Sequence, residues 1–498
     1  MRWRLRELKA WRQCHAERFS VDGRTGAQAL VSNTGALLAG RYTVAALGWL
    51  GTLLIVRTLS AEQWGRFSFV FSFLGVLSVF TELGVGGIAI KGLLADDDRP
   101  GFAGAYITLR GALGALSYAL AVGFVVVAGY PAEVIHAMAI AGVVMVIASV
   151  SHAFETVFQA NLQMRTVAAG MVVAQMAQLA VVVAIAVAGG SVVLFMIPAV
   201  VFDVVTLGWR LHGIRRIQAI RLNANWAIWK KLMREAAPLA AGVVFATAYY
   251  RIDSIMLSKL DTFTAVGIYG VAYKFADLAH YLPSALMISV LPLLVRAWPD
   301  DPKVFGETFG RAVTILALVG AFVIVEFTLF AKPVITLLYG DVYAAGAVAA
   351  RVVVASETLT AFASLAFITL VAMSRHRLYP VAALAGLVTN VGLNLWLIPI
   401  WSYEGTALVT ALTEGLVMVV LFIPLAGVTA IRPLPGRRLL LVAFGAGMAG
   451  LVGWLTWQVL PWPVAVATTA LAYFGFVASV RVDDGRSLLK AAVGSSTA

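Results

Sequence analysis

Apolar residues run through this chain in blocks of about twenty or more, separated by short stretches rich in Gly, Pro, Arg and Asp. A block of that length suits an α-helix crossing roughly 30 Å of hydrocarbon, since each helical residue advances about 1.5 Å. The pattern predicts about 14 spans, near residues 32–56, 65–91, 103–128, 134–160, 167–188, 190–209, 233–258, 264–295, 309–331, 346–372, 379–399, 404–426, 438–459 and 462–480. Little chain is left for soluble domains. The expected fold class is an all-α polytopic membrane protein.

The blocks also repeat. Leu59 matches Leu260, and Gly65-Arg66-Phe67 matches Gly267-Ile268-Tyr269, an offset of 201–202 residues. An even number of spans lies between the copies, so both enter the membrane in the same direction. The expected architecture is two six-helix bundles related by a parallel pseudo-two-fold repeat, plus two C-terminal helices. In residues this gives a basic tail at 1–31, an N-terminal half at 32–209, a basic linker at 210–232 and a second half at 233–428. Two peripheral helices at 429–480 and a cytoplasmic tail at 481–498 follow. Pro198 is expected to break a backbone bond within span six, and Pro283 and Pro292 to bend span eight.

Composition agrees: 61% hydrophobic and 12% charged residues exclude an ordinary soluble globule. A net charge of +12 invites a nucleic-acid reading, but its placement argues otherwise. Lys and Arg collect in the N-terminal tail, in loops 210–234, 296–311, 373–378 and 429–438, and at the C-terminus. That is the positive-inside pattern, with both termini in the cytoplasm. Residues 1–30 lack the apolar core of a signal peptide. Met1, Leu5, Leu8 and Trp11 share one helical face, which suits a helix lying on an anionic leaflet; a disordered basic tail or a start codon placed too far upstream are the alternatives. Cys14 is the only cysteine, so neither an intrachain disulfide nor a cysteine-based metal site is possible.

Candidate chemistry lies in the charges inside spans. A charge at the bilayer centre costs roughly 2.5–3.5 kcal/mol on insertion scales, so it normally faces a cavity or a partner. Residues 249–297 carry Arg251, Asp253, Lys274 and Asp277 on two consecutive spans, with tyrosines at 249, 250, 269, 273 and 281. Arg251 and Asp253 point about 200° apart on a helix, so one must reach a neighbouring span. Lys274 and Asp277, three residues apart, meet on one face. A polar chamber and a structural ion-pair network both fit. Arg41 with Tyr42 lies a third of the way into the first span, as a cavity cation or a snorkelling or intrahelix-paired arginine. Arg110, Glu155, Gln159, Asn161, Asp203, Glu326, Arg351, Glu357 and Glu414 add further in-span polarity, and Asn390 and Asn394 share a face. Asp96, Asp97 and Asp98 read as solvated loop charge rather than a magnesium site.

Several stretches carry a family resemblance. RIDSIMLSKL at 251–260, AVGIYGVAYKFAD at 265–277 and a Pro-containing helix ending LPLLVR at 291–296 resemble the polysaccharide-export branch of the MOP flippase superfamily. That branch holds the Wzx-type O-antigen flippases, with MurJ lipid II flippases and MATE drug exporters as cousins. VRTLSAEQWGRFSFVFSFLGVLSVFTELGVGGIAIK at 56–91 resembles the start of those proteins, and the likeness runs over roughly 32–430. In the MurJ cousins, cations on the first helices line a cavity that receives a pyrophosphate, and Arg41 is a counterpart by position. The resemblance also implies that residues 438–480 lie outside the transport core.

No P-loop, HExxH, paired-cysteine zinc pattern or GxSxG elbow occurs, so catalysis and direct use of ATP are not expected. The expected function is translocation of a polyprenyl-pyrophosphate-linked oligosaccharide across a bacterial cytoplasmic membrane by alternating access, driven by an ion gradient. Arg41, Tyr42, Tyr249, Tyr250, Arg251, Lys274 and Arg351 are the substrate-binding candidates, with Asp253, Asp277 and Glu357 for ion coupling. No cofactor is expected. The expected partners are membrane lipids, the lipid-linked glycan, and a glycan polymerase or glycosyltransferases. The alternatives are a MATE-like exporter of cationic drugs, which predicts a chamber dominated by acids, and a non-transporting scaffold of a glycan-assembly complex.

Overall fold

The computed structural model describes residues 26–95, 99–161, 163–215, 217, 220–375, 378–431 and 436–480. The expected tail helix, the Asp96–Asp98 loop and the C-terminal tail lie outside the described residues. Those described form helices and short connections only. The helices are α1 Gly26–Thr58, α2 Ala61–Glu82, α3 Val85–Ala95, α4 Arg99–Val127, α5 Ala132–Ala160, α6 Met164–Val187 and α7 Ile197–Ile214. Then follow α8 Trp226–Leu260, α9 Phe263–Ala297, α10 Pro302–Tyr339, α11 Ala347–Ala372, α12 Tyr379–Phe422, α13 Gly436–Val459 and α14 Trp462–Val480.

Among the described residues, twelve stretches are long and apolar enough to cross a membrane. That from Tyr379 to Leu425 is 47 residues, about twice what one crossing needs. Ser402 interrupts it with φ 51° and ψ −136°, and the Ser402 hydroxyl is held by Asp261. The stretch therefore serves as two crossings, as the apolar pattern implies. Helix α8, at 35 residues, is long enough for another. This is an all-α polytopic membrane protein.

Helix starts follow from local chemistry. Ser60 and Gln63 exchange side chain–backbone bonds of 3.2 and 3.0 Å, a capping box that opens α2. Asn225 caps α8 through the amides of Ala227 and Ile228, and the Thr262 hydroxyl accepts from Ala265 to cap α9. Asp301 caps α10, whose first turn holds Pro302. Pro198 departs from expectation. It sits in the first turn of α7, where no backbone donor is needed, and so breaks nothing.

The chain divides into two compact units, one of Met1–Thr58 with Leu77–Ala240 and the other of Leu59–Val76 with Ala241–Ala498. In the first, α1 and α6 pack closely. Gly40 faces Ala168, Gly48 faces Gln175 and Gly51 faces Leu179, pairs that advance together, so the two helices run in the same direction. Phe102, Tyr106, Phe154 and Phe158 anchor its dry core.

In the second unit, dry core fills the ends of α9 to α12 nearest the basic loops, with Leu294, Phe305, Phe309, Leu365 and Leu421 buried. At the opposite end, the start of α2 crosses the start of α9. A Cβ on Gly65 would stand 1.6 Å from the Phe263 carbonyl, and one on Gly267 would stand 2.2 Å from the Ala61 carbonyl. The two contacts are equivalent under the 202-residue offset, the pattern of a two-fold-related interface in which each side presents the same patch. The repeated glycines are thus the residues that allow the crossing. Helices α13 and α14 pack on α10, where Tyr473 donates to the Leu318 carbonyl at 2.8 Å and Trp457 meets Phe330 at 5.4 Å.

Candidate functional site

Helices α8, α9, α11 and the second limb of α12 bring polar side chains together inside the second unit. Asp253, Tyr269 and Thr410 each lie about two helical turns, or roughly 12 Å, from the turns at Asp261–Thr262 and Ser402. Lys274, Asp277, Glu357 and Glu414 lie further in. The group therefore occupies the middle of segments that must cross about 30 Å of hydrocarbon.

The group has two layers. In the buried one, Tyr269 donates to Asp253 Oδ2 at 2.5 Å and meets Thr410 Oγ1 at 3.0 Å, while the Ser254 amide donates to Asp253 Oδ1 at 2.8 Å. Tyr250 donates to Glu357 Oε1 at 3.1 Å, and His280 Nδ1 lies 3.1 Å from Glu357 Oε2. Glu414 is buried with Tyr249 and Thr360 facing its carboxyl. These carboxyl groups meet the rule that buried polar groups find partners, save that Glu414 Oε2 has none among the described residues. Tyr249, Tyr250, Tyr273 and Tyr269 form a chain of edge-to-face rings at 5.1–6.4 Å.

The open layer is a triad. Arg251 Nη2 lies 3.9 Å from Asp277 Oδ1, and Lys274 Nζ lies 3.7 Å from Asp277 Oδ2. Each of the three side chains is about one-third exposed, at 33–35%. Charge-assisted hydrogen bonds run about 2.7–2.9 Å, so both contacts are loose. Two cations thus share one carboxylate, and Arg251 also lies 5.8 Å from the Tyr250 ring centre. Arg251 and Asp253, though pointing apart, both reach α9.

Among the sequence-based candidates, Tyr249, Tyr250, Arg251, Lys274, Asp253, Asp277 and Glu357 fall in this group. Arg351 is elsewhere on α11, its buried Nε without a partner among the described residues. Arg41 and Tyr42 are exposed on α1 of the other unit. Sequence reasoning named Tyr269 only among the nearby tyrosines and Glu414 only as in-span polarity, and singled out neither Thr410 nor His280. The signal was present in α9, where Tyr269, Tyr273, Asp277 and His280 recur at spacings of three and four on one face. Among the described residues no cluster of three or more His, Cys, Asp or Glu stands ready to hold a metal ion.

The first unit holds a second buried group. Arg210 bonds Ser151 at 2.8 Å and Glu155 at 2.7 Å, while Arg110 bonds the Ser149 carbonyl at 3.2 Å. Arg110 and Arg210 are 1% and 2% exposed, so both guanidinium groups are more deeply buried than the cations of the open triad.

Residues 30–298 match the profile of the family described as polysaccharide biosynthesis protein. No curated sequence matches. Among solved structures, the lipid II flippase MurJ in an inward closed conformation superimposes with TM-score 0.74 at 13% identity, over 91% of this chain and 99% of that one. An inward-facing multidrug MATE transporter gives 0.63 at 16%, over 78% and 95%. A MOP superfamily transporter from Pyrococcus furiosus, described as having reverse polarity of its binding pocket, gives 0.56 at 14%, over 81% and 96%. At such identities the likeness establishes the fold, that of the MOP transporters.

Proposed function

Because this chain belongs to the polysaccharide biosynthesis protein family, we propose that it moves a polyprenyl-pyrophosphate-linked oligosaccharide from the inner to the outer leaflet of a bacterial cytoplasmic membrane. The observation that carries this reading is the open triad. Arg251 and Lys274 hold one carboxylate between them at 3.7–3.9 Å and stay one-third exposed. Within the triad two cations share one carboxylate, and a charge left without a partner at that depth is costly unless an anion joins it. A diphosphate supplies that anion and charge-assisted hydrogen bonds, displacing Asp277 from contacts too long to be strong. The neighbouring tyrosine rings offer apolar faces to sugars.

In this reading the lipid tail stays in the bilayer while the head group follows the hydrated path, by alternating access between repeated halves. Asp253, Glu357 and Asp277 are the carboxyls proposed to couple the cycle to an ion gradient. Both termini lie in the cytoplasm, and glycan-assembly enzymes are partners. Arg41, Tyr42 and Arg351 are assigned to substrate binding with less structural support than the triad. A second reading, export of cationic drugs, is favoured by the three buried carboxyl side chains Asp253, Glu357 and Glu414.

Proteoliposomes containing a head-group-labelled polyprenyl-pyrophosphate glycan provide the test. The protein is expected to expose label to an external quencher faster than empty vesicles do. A charge-assisted hydrogen bond is worth about 1.5–3 kcal/mol, so Arg251→Ala and Lys274→Ala should each slow exposure about tenfold or more. Unchanged exposure with wild-type protein, alongside uptake of an organic cation, would transfer support to drug export.

A further inference from the structure

The ends of α5, α6 and α7 nearest the basic loops border a half-open cavity of about 650 Å³ within the first unit. It lies where three crossings end, at Ala160, Met164 and Ile214, hence at the membrane–water boundary. On α7 its wall is one stripe at 205, 208, 209, 212 and 213, the spacing of a single helical face. Phe158, Val205, Trp209 and Ile217 make the wall apolar, and Gln163, Thr166 and His212 supply polar atoms. Trp209 is fixed in place. Its indole donates to the Thr166 carbonyl at 3.0 Å, and its ring lies so close to α6 that a Cβ on Gly170 would stand 2.5 Å away.

Two features say what fits. Val204, Trp209 and Leu211 are exposed apolar side chains on α7, so the cavity's surroundings face lipid. Arg165 and Arg215, both exposed, stand within one or two residues of the lining positions Thr166, Gly213 and Ile217, and among the described residues no acidic residue lines the cavity. The nearby carboxylate of Glu155 is already bound by Arg210. Basic pockets between helix ends, with a tryptophan at the interface, suit an anionic lipid head group. We propose that this cavity holds one anionic phospholipid from the leaflet facing the basic loops, its glycerol and upper chains against Trp209 and Phe158 and its phosphate between Arg165, Arg215 and His212. The site is independent of the transport reading, since it lies in the first unit and needs no movement of substrate.

The test uses the full chain in mixed detergent–lipid micelles and reads retained lipid by native mass spectrometry. Phosphatidylglycerol is expected to be retained over phosphatidylcholine. A Cβ on Gly208 meets nothing within 4 Å, so Gly208→Leu places an apolar side chain in the cavity mouth and should weaken that preference. Arg165→Gln with Arg215→Gln, both at exposed positions, should reduce retention about fivefold per charge removed. Equal retention of the two lipids, or a preference that survives both Gly208→Leu and the double glutamine variant, overturns the proposal. Displacement of phosphatidylglycerol by polyprenyl phosphate at equal concentration overturns it too, since the cavity would then belong to the carrier lipid. If Gly208→Leu fails to fold, the double glutamine variant decides.

Discussion

At the scale of single residues, the second unit separates satisfied charge from available charge. Asp253 is 1% exposed and receives the Tyr269 hydroxyl, its shortest contact. Tyr269→Phe removes that donor without changing shape and leaves a buried oxygen short of a partner. Thermal unfolding in detergent should show a loss of about 1–3 kcal/mol. Arg251 and Lys274 differ in kind. Both are about one-third exposed, and each contributes less than about 1 kcal/mol of stability through such a loose pair. Their alanine variants should reach wild-type membrane levels while losing transport. A drop in membrane level equal to the drop in transport would instead mark them as structural.

At the scale of elements, two contacts set the packing. Where α2 crosses α9, Gly65 leaves no room for a side chain, because a Cβ would overlap the Phe263 carbonyl. Gly65→Leu should cost more than about 3 kcal/mol, seen as loss of folded protein in a detergent melt. Gly208→Leu, facing open space, should melt like wild type in lipid-free detergent. Helix α10 carries the opposite case. Both carboxylate oxygens of Glu326 are buried without a partner among the described residues, beside Val325 and Leu329, which face Gly450 and Gly453 of α13. Glu326→Leu should stabilise the protein by about 1–3 kcal/mol, since an unmet buried polar group costs that much. A lower melting temperature would show that the carboxylate is used.

At the scale of the whole molecule, orientation rests on the basic loops. The lone Cys14 makes this testable without engineering. A membrane-impermeant maleimide should label it only after cells are permeabilised. Labelling in intact cells would reverse the proposed topology, and with it the leaflet named for the phospholipid.

The sequence alone determined the class of fold, because bilayer crossing demands long apolar runs and short polar turns, and both are visible one residue at a time. It also exposed the glycine-marked repeat, since a steric requirement that admits one residue type leaves a mark wherever it recurs. The site was legible only in part. Arg251, Asp253, Lys274 and Asp277 announce themselves because charge is rare in such segments. Thr410 does not, and Tyr269 and Glu414 show only as in-span polarity, since hydroxyls are common there and a carboxyl's partners are set by which helix lies opposite. Only the tertiary structure decided that Asp253 is sealed by a tyrosine on the next helix while Arg251, two residues away, stays open. A helix turns about 200° between them, and what each then meets depends on packing that no local pattern encodes.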